Sequence, residues 1–163
     1  MSVDIDFFFN HPDNLAALAE RLNGWLGCAL APYEGDPEDL FGRFFGMEFS
    51  LAEHNLENDG ERNFEDYKYE LGFRTAVPDG DLRMVQLPAI AMIIYVLFRR
   101  MNVTGMLVYD VQIVLARYEA RSVSAGGAAY LYDVLSNEFV SFPEHLAALQ
   151  ARTPNGSFGK LAL

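Results

Sequence analysis

Asn55, Glu57, Asp59, Gly60, Glu61, Asn63 and Asp66 put oxygen-bearing side chains at spacings reminiscent of a calcium loop, with glycine in the sixth place. The chemistry such a pattern serves is capture of a hard cation by carboxylate and amide oxygens. The match is incomplete. Asn stands first, Glu third and Asp last in place of a bidentate Glu, and Arg62 occupies the position of an apolar anchor. The flanks alternate as strands do, so the spacing favours a solvated hairpin loop. Glu53, His54, Glu57 and Asp59 define the enzymatic alternative, a small metal-dependent hydrolase with its site at the 53–66 loop. Alternation places Glu53 and His54 on opposite faces, which weakens it.

Other reactive types are scattered. His11, His54 and His145 show no i, i+4 pairing, and Cys28 lies beside Ala29 and Leu30 with no neighbouring base, as a small buried filler does. Asp110, at the end of an apolar run, reads as a helix N-cap or a site carboxylate. The glycine-rich Ser124–Gly127 precedes a strand and lacks the helix N-terminus that binds phosphate. No nucleophile, base and orienting group assemble, and no cofactor is expected.

Elements that would position these residues follow from periodicity. Val3, Ile5 and Phe7 alternate with Asp4, Asp6 and Phe8, a strand over residues 3–9. Leu15, Leu18, Leu22, Trp25 and Leu26 recur at helical spacing, giving a helix over 12–26 that stops at Gly27. Residues 31–40, with Pro32, Gly35, Pro37 and several acids, have the composition of a loop. From 43 to 56 and from 66 to 75 apolar and polar residues alternate. One face takes Phe45, Met47, Phe49 and Leu51 with Tyr67, Tyr69, Leu71 and Phe73; the other takes Glu48 and Ser50 with Glu70, Gly72 and Arg74. These two strands are expected to form a hairpin.

A turn follows at Pro78–Gly80. The 14-residue apolar run Val85–Phe98, ending at Arg99 and Arg100, is a buried helix too short for the about 20 residues that span a bilayer. Met106–Tyr109 is a buried strand. Val111, Val114, Leu115 and Tyr118 then share a helical face, with a continuous strand through 119 as the competing reading. A flexible link over 122–129, a hairpin over 130–140 and a short helix from Pro143 complete one α+β domain over residues 1–150. Residues 151–163 are expected to be a flexible tail.

The order of the first six elements, β-α-β-β-α-β, resembles that of ferredoxin-like domains. That resemblance implies a single-layer, mostly antiparallel sheet with two main helices on one face.

Composition narrows the function. Half the residues are hydrophobic and 21% are charged, enough apolar side chain to order a core. The net charge of -11 disfavours nucleic acid and anionic membrane surfaces as partners. A single cysteine fits a reducing, cytoplasmic setting, and Asp4 and Asp6 stand where a secretory signal carries basic residues, so the N-terminal segment is expected to remain in the mature protein.

The charge is also concentrated. Residues 34–81 hold 14 acids and 4 bases, a net of -10, while the remaining 115 residues have a net of -1. Aromatic residues crowd the same third of the chain. The expectation is a protein-binding surface for a basic partner, built from Glu34, Asp36, Glu38, Asp39, Glu48, Glu53, Glu57, Asp59, Glu61 and Glu65, with Phe44 and Phe64 as anchors. In general properties the chain resembles bacterial immunity proteins, which implies neutralisation of a basic toxin or nuclease. A scaffolding domain that self-associates as a homodimer through an open sheet edge is the remaining expectation.

Overall fold

The computed structural model describes residues 3–44, 47–75, 87–119 and 122–126, together with residue 140. The expected turn at 78–80, hairpin over 130–140, helix from Pro143 and tail over 151–163 lie outside the described residues. Among the described residues, eight strands form one antiparallel sheet, accompanied by two α-helices and a 3-10 turn at Phe64–Asp66. In chain order these are β1 (Val3–Asn10), α1 (Leu15–Leu26), β2 (Ala31–Tyr33), β3 (Asp36–Phe44), β4 (Met47–Glu53), β5 (Tyr69–Thr75), α2 (Leu87–Arg100), β6 (Thr104–Tyr109), β7 (Ile113–Glu119) and β8 (Ser122–Ala125). The spatial order is β2-β3-β4-β5-β1-β6-β7-β8, so β1 lies inside the sheet between β5 and β6. The sheet is larger than the sequence suggests.

Alternation divides the sheet into two chemically different faces. Ile5, Phe7 and Phe9 of β1, Phe49 and Leu51 of β4, and Leu71 and Phe73 of β5 share one buried cluster with Leu18 and Leu22 of α1 and Ile90 and Ile94 of α2. Stacked rings tie this core together, Phe7 with Phe9 at 5.5 Å and Phe49 with Phe73 at 5.8 Å. Helix α1 begins at Asn14, whose side chain accepts from Ala17 N–H, and ends at Gly27, whose positive φ of 68° lets its N–H reach Asn23 O.

The opposite face carries no described α-helix, only a single 3-10 turn at Phe64–Asp66. Part of it is covered by residues 54–68, which bring Leu56, Phe64 and Tyr67 over Phe8, Met106, Val108 and Val114.

Three expectations are corrected. Residues 31–40 form the hairpin β2–β3, because Glu34 and Gly35 both take positive φ, 48° and 85°, and close a tight turn between Tyr33 and Asp36. Pro32 is tolerated because β2 is an edge strand. Residues 113–119 are strand rather than helix, and Asp110 is a turn residue rather than an N-cap: Asp110 and Val111 take φ of 50° and 56° and turn β6 into β7. The pairing shifts between Leu107 and Val108, leaving Leu115 as the extra residue of a bulge. That bulge sends Val114 to one face and both Leu115 and Ala116 to the other, and so imitates helical spacing. Finally, Ser122–Ala125 is a strand paired with β7 and not a flexible link.

Candidate functional site

Among the described residues, the part of the second face that the 54–68 segment leaves uncovered is a groove of about 360 Å³. Register builds it in cross-strand rows. One row reads Phe41 (β3), Ser50 (β4), Gly72 (β5), Asp6 (β1) and Val108 (β6), each opposite the next. Beside it runs an alternating ladder of charge, Arg43, Glu48, Arg74 and Asp4. On the other side lie Asp39, Ala52, Glu70 and Phe8. Val111 of the β6–β7 turn closes one end.

The ladder neutralises itself: Arg43 bonds Glu48 at 2.9 Å and Arg74 bonds Asp4 at 3.3 Å. Asp6 and Glu70 are different. Neither carboxylate makes a hydrogen bond or ion pair among the described residues, and Asp6 is only 6% exposed. Their neighbours explain this. Asp6 is opposed by a glycine on β5 and a valine on β6, and is followed on its own face by Phe8.

Burial, reinforced by the charges of Glu70, Asp4 and Asp110, pushes the Asp6 carboxyl up to about 7. Burial also raises Glu70, with His54 opposing the shift.

Gly72 is the gap between these groups. A Cβ built there would lie 3.2 Å from Asp6 Oδ1, 3.2 Å from Ser50 Oγ and 3.9 Å from Glu70 Oε1. Three oxygens from three strands therefore converge over one missing side chain. Such a floor can accept hydrogen bonds, hold a cation or exchange a proton near neutrality.

The residues singled out from the sequence are distributed over several places. Phe44 is buried at 4% exposure in the helix-side core, and Phe64 at 3% beneath the 54–68 segment, so neither is available as an anchor. The aromatic residues near the groove are instead Phe41 and Tyr33, whose rings lie 5.7 Å apart, with Tyr33 49% exposed. Glu34, Asp36 and Glu38 sit exposed at the β2–β3 hairpin, and Asp39 is half-buried on β3. Glu53 pairs with Lys68 at 3.3 Å. Among the acids expected to bind, Glu48 lines the groove. Asp4, Asp6, Ser50, Glu70 and Gly72 were not among them. The available signal was two acids, Asp4 and Asp6, inside an otherwise apolar strand.

Glu57, Asp59, Glu61 and Glu65 are exposed on the 54–68 segment, which is strapped down rather than loose. Arg62 pairs with Asp59 and donates to Gln112 O at 2.9 Å, Arg117 donates to Asn63 Oδ1 at 2.8 Å, and Glu65 bonds Asn58. His54 accepts from Leu56 N–H at Nδ1, which fixes the tautomer that donates from Nε2 to Tyr67 O at 2.7 Å. Both ring nitrogens are engaged. Among the described residues, no three His, Cys, Asp or Glu side chains converge to hold a metal ion. Within the calcium-like spacing, Asp59 pairs with Arg62, Asn63 Oδ1 accepts from Arg117, and the Asn63 amide donates to Asp66.

Cys28 is fully buried, with its thiol against Asn23 Oδ1 at 3.3 Å, and burial pushes it up to about 11. The native protein is therefore expected to leave this thiol unmodified by a thiol reagent at pH 8, while the urea-unfolded chain reacts. Rapid reaction of the native protein would show the thiol to be accessible.

No described helix is long and apolar enough to cross a membrane. No family model, curated protein or solved structure matches the chain. Function must be argued from the groove itself.

Proposed function

We propose that the chain is a protein-binding domain that captures a basic partner on the open face of its sheet. The observation that carries this reading is Asp6, a residue only 6% exposed whose carboxylate opens into the groove with no partner among the described residues. An unpaired buried carboxylate is costly, and a cation delivered by a ligand removes the cost. Glu70 adds a second carboxylate unpaired among the described residues, while Phe41, with Tyr33 against its ring, and the exposed Val111 supply apolar contact around it. Val111 is a β-branched residue at φ 56°, a strained conformation of the kind that clusters at binding sites.

An acidic groove of this kind suits an inhibitor or immunity protein for a basic toxin or nuclease, its carboxylates standing where phosphates would bind. A cytoplasmic partner would fit the single cysteine, which suits a reducing setting. A second copy of the chain is a poor occupant, because pairing the open faces would set carboxylate against carboxylate. The ferredoxin-like reading of the core rests on the central order β4-β5-β1-β6, in which the connection through α2 from β5 to β6 passes β1, whereas α1 leads to β2 at the sheet edge.

The test is a titration with a synthetic peptide rich in lysine and arginine, read by amide chemical shifts at low and high salt. Binding should weaken with salt. Its footprint should fall on Ser50, Glu70, Gly72 and Asp6. No binding at low salt, or a footprint confined to the β2–β3 turn or the 54–68 segment, would overturn the reading.

A further inference from the structure

We propose that Asp6, Glu70 and Ser50, converging over Gly72, form a seat for one primary ammonium group, and that the partner inserts a lysine side chain there. The inference rests on the reading of the open face as a surface for a basic partner, and it specifies the group recognised.

The seat opens above Gly72. Three oxygens from three strands lie 3.2, 3.2 and 3.9 Å from the position a Cβ there would take, so they ring the space over the Gly72 Cα. An ammonium carries three donors radiating from one nitrogen and no acceptor, so one group can serve three acceptors at once. A guanidinium is planar and pairs best with both oxygens of one carboxylate, which acceptors drawn from three strands do not offer. A calcium ion takes six to eight oxygens, and no cluster of three acidic, histidine or cysteine ligands is present among the described residues.

The groove's walls fit the rest of a lysine. Phe41 flanks Ser50 on β3 and Val111 stands beyond Asp6, so the four-carbon stem can lie on apolar surface while its head reaches the floor. Arg74 and Arg43, the cations of the groove, are held by Asp4 and Glu48 at its rim and do not occupy the seat.

Occupation is coupled to a proton. Asp6 is faced by Asp4 on its own strand, Glu70 and Arg74 on β5, Glu48 on β4 and Asp110 in the β6–β7 turn, with His54 near Glu70. Burial, reinforced by this mainly acidic environment, keeps a proton on Asp6 near neutrality, and an arriving ammonium displaces it. Affinity should therefore rise with pH to about 7 and level off above it.

Gly72→Ala separates the seat from the surface. The added methyl meets the ends of the Asp6 and Ser50 side chains rather than backbone, so the fold is kept while the seat is filled. The probe is Nα-acetyl-lysine amide, titrated into the full chain and followed at the Gly72 amide and the Asp6 carboxyl carbon. Nα-acetyl-arginine amide, Nα-acetyl-norleucine amide and calcium serve as comparisons.

The lysine probe should shift both signals in the wild type and bind at least about tenfold more weakly to Gly72→Ala, since each charged hydrogen bond lost is worth that much. The arginine and norleucine probes and calcium should leave the seat signals nearly unmoved. Equal binding of the lysine probe by the alanine variant would overturn the seat, as would a stronger response to arginine or calcium. The basic peptide keeps the two claims apart. If it binds wild type and Gly72→Ala equally on the open face, the seat fails and the binding surface stands; if it does not bind the wild type, the surface itself fails.

Discussion

Asp6→Asn is expected to raise the stability of the protein at pH 8 by an amount on the order of 4 kcal/mol, since the Asp6 carboxyl stands about three units above its ordinary value. The sign follows from linkage. A carboxyl raised from 3.8 to about 7 binds its proton more tightly when folded, so its contribution is fully favourable below about pH 4 and is lost as pH rises through 7. At 6% exposure there is little solvent to screen the penalty. Asn keeps the shape, carries no charge and removes the pH dependence at this position.

For a chain of this size the gain corresponds to roughly 10 °C in melting temperature at pH 8, shrinking toward zero at pH 4. Glu70 shifts in the same direction but is present in both proteins, so the difference between them isolates Asp6. The comparison is thermal or urea unfolding of the two proteins between pH 4 and 8. Parallel pH profiles would mean that Asp6 is solvated or paired. The same variant should bind the basic peptide more weakly, the trade of stability for function that binding sites commonly show.

Gly105→Ala should be strongly destabilising. A Cβ at Gly105 would lie 2.4 and 2.5 Å from the Phe7 ring and 2.8 Å from the Phe8 carbonyl oxygen. The ring cannot yield: Phe7 is fully buried, stacked on Phe9, and set edge-on to Tyr118 at 5.3 Å, which in turn packs edge-on to Phe98. The carbonyl belongs to β1, held between two strands. Relief requires β6 and β1 to separate, at a cost of about 3 kcal/mol or more. Gly72→Ala, which meets only side-chain ends, is the contrasting control. Urea midpoints of the two variants decide it, and a Gly105→Ala protein within about 0.5 kcal/mol of wild type would show that the Phe7 ring is not fixed against β6.

The two faces of the sheet were readable because alternation is a local property. Glu48 and Ser50 against Phe49 and Leu51, and Glu70, Gly72 and Arg74 against Leu71 and Phe73, appear in the sequence as they appear in the fold. The groove was not readable, because it depends on register. Nothing local says that Asp6 meets Gly72, or that Gly72 meets Ser50 on its other side. Charge density drew attention to Glu57, Asp59, Glu61 and Glu65, which are exposed, whereas the informative acid sits in an apolar strand about 50 residues earlier.

The misread segments also have physical causes. Pro32 and Pro37 give 31–40 a loop composition, yet an edge strand and the start of its partner tolerate both. At 113–119 the bulge at Leu115 breaks the two-residue period, and the apolar residues fall at helical intervals by accident of that single insertion. Phe44 and Phe64 looked like spare aromatics on a two-faced hairpin. The sheet is wider than one hairpin and the 54–68 segment folds back onto it, so both faces bury rings.

Carbon-13 NMR of the Asp6 side chain, titrated from pH 3 to 9 in the ligand-free protein, tests the central role of this carboxyl most directly. A midpoint of about 7 is the result expected of a buried, unpartnered carboxylate opening into the groove. A midpoint near the ordinary aspartate value of about 3.9 would contradict it.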